Sequence, residues 1–143
     1  MTRLVLRPFD PADAEGRSIG GRALDLWTGV VIDETGHETI AGIGGLIETF
    51  DILMPSVLML LDVRLQEWKG PNLYRHARRI LDRARQSGIT RVVTFADLSI
   101  PRSEKLLAAL GFVPLPDKLK HQAWAEFEQK SGMRSWGWGV TGC

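Results

Sequence analysis

A chain of 143 residues, 44% hydrophobic and 24% charged, fits one globular domain with its own core and excludes an intrinsically disordered protein. A formal net charge of +1 excludes a long-range field, so a nucleic-acid or membrane-surface role would need local clustering. The single cysteine, Cys143, excludes an internal disulfide and a cysteine metal cage and fits a reducing compartment.

Thr2 to Arg7 alternates and ends at Pro8, which predicts a first strand running into a turn. Asp10-Pro11-Ala12-Asp13 reads as a helix start, with Asp10 as N-cap and Pro11 at the first position, limited to a couple of turns by Gly16, Gly20 and Gly21. Arg22 to Asp33 is β-rich and closed by the hairpin signal Thr35-Gly36; Glu38 to Phe50 is the return strand. There Gly42, Gly44 and Gly45 mark a bulge or a close backbone approach. Val57 to Leu65 is nearly continuous apolar, as a central strand covered on both faces should be.

From Leu73 to Gln86 the period becomes helical. Leu73, Ala77, Ile80 and Ala84 share one face, Arg75, Arg78, Arg79, Asp82 and Arg83 the other, and Gly88 supplies the left-handed stop. Arg91 to Ala96 reads as a strand and Pro101 to Leu110 as a short helix stopped by Gly111. Gln122 to Gln129 alternates Ala123, Ala125 and Phe127 against Trp124, Glu126 and Glu128, which predicts a last strand. The domain is expected to span residues 1–130, followed by a Trp- and Gly-rich tail at 131–143.

Val57 to Phe112, ending Leu110-Gly111-Phe112, resembles the cofactor half of the GNAT superfamily of N-acyltransferases. The resemblance implies an α+β fold: a mixed, largely antiparallel sheet with a parallel central pair and helices on both faces. In that family the strand before the long helix splays from its parallel neighbour to admit pantetheine. The loop opening the helix offers backbone N–H groups to the pyrophosphate. The family's loop wants Gln or Arg, then Gly, then Gly or Ala, and these positions fall on Trp68, Pro71 and Leu73. Gly70 survives one place off, and Pro71 has no N–H to donate. The cofactor positions, if acyl-CoA binds, are Gly70, Asn72 and Leu73. On the second helix the family's usual Asn aligns with Ile100, and its general-acid Tyr with Leu107. The two substrate-side helices between the first strands shrink to Phe9–Gly21.

Ala41-Gly42-Ile43-Gly44-Gly45, Arg75-His76-Ala77-Arg78-Arg79 and Ser103 to Phe112 are also similar to a group of small phage GNAT-like proteins, including internal virion proteins of short-tailed phages. The expectation drawn from these departures is a non-catalytic structural or interaction protein with no cofactor, cytoplasmic or virion-associated. The alternative is an acetyl-CoA-dependent N-acetyltransferase with a divergent pyrophosphate loop. Met1 to Pro8 has no apolar core of signal-peptide length. The apolar run Ile52 to Leu61 is about half of the ~20 residues a membrane helix needs, so no span is expected.

Asp62 is the candidate general base, since a carboxylate ending an apolar strand can be desolvated. The alternative is that it closes the buried run and pairs with Arg64 or Arg91; Glu48 carries the same ambiguity. His37, His76 and His121 lack partners at metal-ligand spacing. The arginine face of the long helix is either solvated or a phosphate contact. No aromatic residues interleave with it, which argues against a single-strand nucleic-acid reader. Trp136 and Trp138 point the same way in an extended chain. They read either as anchors for a protein partner or a second copy, or as rings folded onto the domain's own sheet.

Overall fold

The computed structural model describes residues 2–49, 57–97, 102–116 and 122–139. A seven-stranded sheet runs in the order β1-β2-β3-β4-β5-β7-β6. Its strands are β1 (Arg3–Pro8), β2 (Gly21–Ile32), β3 (Glu38–Thr49), β4 (Val57–Val63), β5 (Val92–Asp97), β6 (Val113–Pro114) and β7 (Met133–Trp138). The helices are α1 (Pro71–Gln86), α2 (Ser103–Ala109) and α3 (Gln122–Ser131). Every neighbouring pair is antiparallel except β4 and β5, which are parallel. The mixed sheet with its parallel central pair is the expected architecture.

The first hairpin closes on Asp33, whose Oδ1 accepts from the Thr35 N–H at 2.9 Å, the Thr35 hydroxyl at 2.7 Å and the His37 N–H at 3.0 Å. That Asx-type turn is the chemistry Thr35-Gly36 advertises. The segment after β1 forms a single 3-10 turn (Pro11–Ala14) rather than a couple of α-turns. Asp10 caps it through the Ala12 N–H at 2.9 Å, and Asp13 reaches back to the Asp10 N–H at 3.0 Å. Asp13 is buried and also accepts from Thr28 Oγ1 at 2.7 Å and Arg7 Nη2 at 2.8 Å, which ties the turn to β1 and β2. Burial pushes its carboxyl up, but these hydrogen bonds and the Arg7 charge outweigh it and hold Asp13 below the usual carboxylate range.

On one sheet face α1 buries Leu73, His76, Ala77, Ile80, Leu81 and Ala84. The helix ends as its sequence demands: Gly88 has φ 86°, and the Ile89 N–H returns to the Ala84 carbonyl at 2.9 Å. The main core joins this stripe to Leu46, Met59, Val92, Leu107, Leu110 and Phe112.

The C-terminal stretch departs from expectation twice. Residues 122–131 are helical, because Ala, Glu, Gln and Lys are strong helix formers and the alternation of apolar residues there is also compatible with a helix. Gly132 (φ 72°) then stops the helix, with its N–H on the Glu128 carbonyl at 3.0 Å. Residues 133–138 are no appended tail either. They form β7, inserted between β5 and β6, with Thr94 opposite Trp136 and Val92 opposite Trp138. Trp136 and Trp138 are 6% and 7% exposed and belong to the main core. The expected partner anchors are therefore spent on the domain's own fold.

Candidate active site

The site begins at the parallel seam. β4 and β5 share one ladder pair, Leu58 with Val93, and the Thr94 hydroxyl adds a hydrogen bond to the Met59 carbonyl at 2.8 Å. Beyond that staple both strands continue, β4 to Val63 held by β3 and β5 to Asp97 held by β7, without pairing to each other. Two parallel strands stapled at one end and unpaired at the other leave backbone N–H and C=O groups facing the gap. Such groups need partners.

The chain leaves β4 through a short 3-10 turn (Gln66–Trp68) and enters α1 over Gly70, the N-cap. Gly70 has φ 69°, a left-handed conformation that β-carbons disfavour, and the space where its β-carbon would sit is open. The Gly70 carbonyl accepts the Tyr74 N–H at 3.0 Å, so the N–H groups of Asn72 and Leu73 are left without an acceptor inside the helix. Pro71 supplies none. The loop keeps its form through side chains: Asn72 Nδ2 donates to the Glu67 carbonyl at 3.0 Å, and Arg75 reaches Asn72 Oδ1 at 3.1 Å and the Pro71 carbonyl at 3.2 Å. Leu73, though its N–H faces the helix start, has its side chain buried in the core. The three cofactor positions named from the sequence thus lie together at one helix N-terminus.

Trp68 explains two glycines of the middle strands, while Gly42 and Gly45 lie against the backbone of Asp62 and Asp25. Its indole is 0% exposed and lies against Gly29 and Gly44, where an added β-carbon would come within 2.5 Å and 3.1 Å of the ring. His76 packs on the same indole at 5.3 Å between centroids, with Nε2 at 3.2 Å from the Gly44 carbonyl. Burial, with Arg83 nearby, lowers the His76 pKa against the opposing pull of the Gly44 carbonyl and Asp25. The neutral ring then donates its Nε2–H to that carbonyl. His76 is a core residue, not the surface or half-buried packing residue expected from its place two positions after Tyr74. Arg83, on the basic face, is fixed by Asp25 at 2.8 Å, and Arg85 lies 5.3 Å over the Trp138 ring. Arg78 and Arg79 are exposed.

Asp62 points to the other face of the sheet, into an open cleft of ≈ 110 Å³ lined by Ala14, Arg17, Ser18, Ile19, Ile43, Leu60 and Asp62. Leu60 and Asp62 lie on β4, the strand that also borders the seam; the rest of the cleft lining comes from β3 and residues 14–19. Asp62 Oδ2 lies 3.7 Å from Arg64 and 3.9 Å from Arg17, and Arg64 also approaches Glu15 at 3.7 Å. Of the two pairings the sequence offered, with Arg64 or Arg91, the structure has the one with Arg64. Arg17 was not legible as a site residue, because nothing in an irregular stretch tells which way a side chain points.

The other candidates fall elsewhere. Glu48 pairs with Arg22 at 3.3 Å on β2. Leu107, at the position of the resembled family's acid, is buried in the core. Ile100 and His121 lie outside the described residues. Among the described residues no group of three or more His, Cys, Asp or Glu side chains is placed to hold a metal, and no helix is long and apolar enough to cross a membrane.

No protein-family model matches the chain, and no curated protein is similar to it in sequence. Solved structures are similar in fold. A spermidine N-acetyltransferase chimera of Vibrio cholerae SpeG and hSSAT superposes with a TM-score of 0.53 at 12% identity, over 94% of each chain. N-acetylglutamate synthase from Neisseria gonorrhoeae, solved with coenzyme A and N-acetyl-glutamate, gives 0.50 at 18% identity over 78% of this chain. The chain spans only 25% of that synthase. These neighbours correct the expectation of a cofactor-free, non-catalytic phage scaffold: both are acetyltransferases, and one holds coenzyme A. The expectation weighed the residues at Trp68, Pro71 and Leu73, including the N–H that Pro71 lacks; the N–H groups of Asn72 and Leu73 remain at the helix start. The chain has the GNAT fold.

Proposed function

We propose that this protein is an acyl-CoA-dependent N-acyltransferase, with acyl-CoA in the β4–β5 seam and the acceptor amine in the cleft beside Asp62. The observation that carries the reading is the seam, stapled at Leu58–Val93 and unpaired beyond, with an apolar-floored cleft lined in part by Leu60 and Asp62 of the same strand β4. The cofactor fits what is there. Gap-facing backbone groups of β4 and β5 suit the pantetheine amides, and the N–H groups of Asn72 and Leu73 beside the open space at Gly70 suit the pyrophosphate.

Bound acyl-CoA supplies a thioester carbonyl open to attack by an amine. Asp62 takes the proton the amine loses as the C–N bond forms and the C–S bond breaks. The sulfur departs as thiolate. A thiolate is a far weaker base than the amide anion that would have to leave in its place, so it departs first and an apolar Leu107 is no obstacle.

The test is product formation, read by mass spectrometry, from acetyl-CoA and a panel of primary amines. Acetylated product is expected from at least one amine. Asp62→Asn should slow the reaction about 100-fold or more while leaving acetyl-CoA binding unchanged. Absence of product across the panel, or a full rate from Asp62→Asn, contradicts the proposal.

A further inference from the structure

We infer that the acceptor is a zwitterion, a primary amine that carries its own carboxylate on a small apolar body, and not a polycationic amine. The inference rests on the acyltransfer reading for the word acceptor, and on the cleft alone for the chemistry of what binds.

The walls set the body of the ligand. Ala14, Ile19, Ile43 and Leu60 form an apolar floor, which has no partner for a second ammonium group. The rim sets its charges. Arg17, Arg64, Asp62 and Glu15 form a chain of two cations and two anions. Of these only Arg17 and Asp62 line the cleft, one charge of each sign, which matches a molecule with one charge of each kind and offers a polycation a single anion.

The quartet is also loosely closed. Its contacts run from 3.7 Å to 3.9 Å, whereas Arg7–Asp13 and Arg83–Asp25 close at 2.8 Å. Arg17 is 58% exposed, with its Nε only 3.4 Å from the Ala14 carbonyl, so its terminal nitrogens keep donors for a carboxylate. Asp62, 45% exposed, keeps acceptor positions for an ammonium group. A carboxylate drawn to Arg17 sets the amine of the same molecule on the Asp62 side, on β4, the strand that borders the seam. One ligand thereby satisfies both rim charges and orients the nucleophile.

Ligand-detected NMR on the full chain, without acyl-CoA, tests this with L-leucine, L-leucinamide and putrescine. L-leucine should bind at least tenfold tighter than L-leucinamide, which lacks the carboxylate, and putrescine should not compete. Arg17→Gln should abolish the preference for leucine over leucinamide without unfolding the chain, since Arg17 lies at the rim and outside the core. Binding of putrescine or leucinamide as tight as that of leucine overturns the inference. So does an undiminished preference in Arg17→Gln, or no leucine binding at all. A parallel titration with acetyl-CoA separates the two proposals. Leucine selectivity without acetyl-CoA binding keeps the zwitterion cleft and removes the acyltransferase, and the reverse result removes only the cleft chemistry.

Discussion

Trp68 shows how one residue can be misread from sequence and still organise a site. Its position suggested a lost pyrophosphate-loop side chain; the structure uses it as the plug between α1 and the sheet. Gly29 and Gly44 make room for the plug, and a methyl group at Gly29 would sit 2.5 Å from a ring that is 0% exposed and cannot retreat. Gly29→Ala should therefore cost about 1–3 kcal/mol of stability by urea unfolding, and an unchanged midpoint would show that the indole can move. His76, stacked on the same ring, makes a pH prediction. Its folded pKa is lowered, chiefly by burial, so the folded state resists protonation more than the unfolded chain does. Its contribution is full above the unfolded value of about 6.5 and is lost as pH falls from there through the lowered folded value. Stability should drop on acidification below that point in wild type and drop less in His76→Gln, measured by thermal unfolding between neutral and mildly acid pH. Gly44 announced a close approach in the sequence and Gly29 did not; what approached them did not show, because Trp68 is distant from both along the chain.

At the scale of elements, the stretches with strong periodicity were readable and the last one was not. α1 carries an apolar stripe, a proline at its first position and a glycine stop, and the sequence places it within two residues of Pro71–Gln86. The Leu110-Gly111-Phe112 return also folds as expected, with Leu110 1% and Phe112 2% exposed. Leu110→Ala should cost about 2–5 kcal/mol, and a variant as stable as wild type would displace α2 from the core. The segment at 122–131 is ambiguous because its alternation suits a strand while its composition suits a helix. That one error pushed the following strand out of the sheet and left Trp136 and Trp138 looking free. Since β7 joins β5 to β6 and both indoles are core, a chain cut after Lys130 should fail to fold. A cooperative unfolding transition in that truncated chain would show that the sheet does not need β7.

Over the whole molecule, the two faces of the sheet divide the work. α1 and α2 bury one face and carry the helix N-terminus; the 3-10 turn at Pro11–Ala14 leaves the other face open as a cleft. The seam between β4 and β5 connects them. The element order through α2 and the crossover between β4 and β5 were legible from a few strong local signals; the place of β7 between β5 and β6 was not. The cleft was not, because its wall comes from residues 14–19, which have no period to read. The central claim is that this seam and helix start hold acyl-CoA through backbone groups, despite Trp68, Pro71 and Leu73. Calorimetric titration of the full chain with acetyl-CoA tests it most directly. The account predicts a saturable one-to-one isotherm with a dissociation constant in the micromolar range, about −8 kcal/mol. Binding no tighter than roughly millimolar, about −4 kcal/mol, would contradict it.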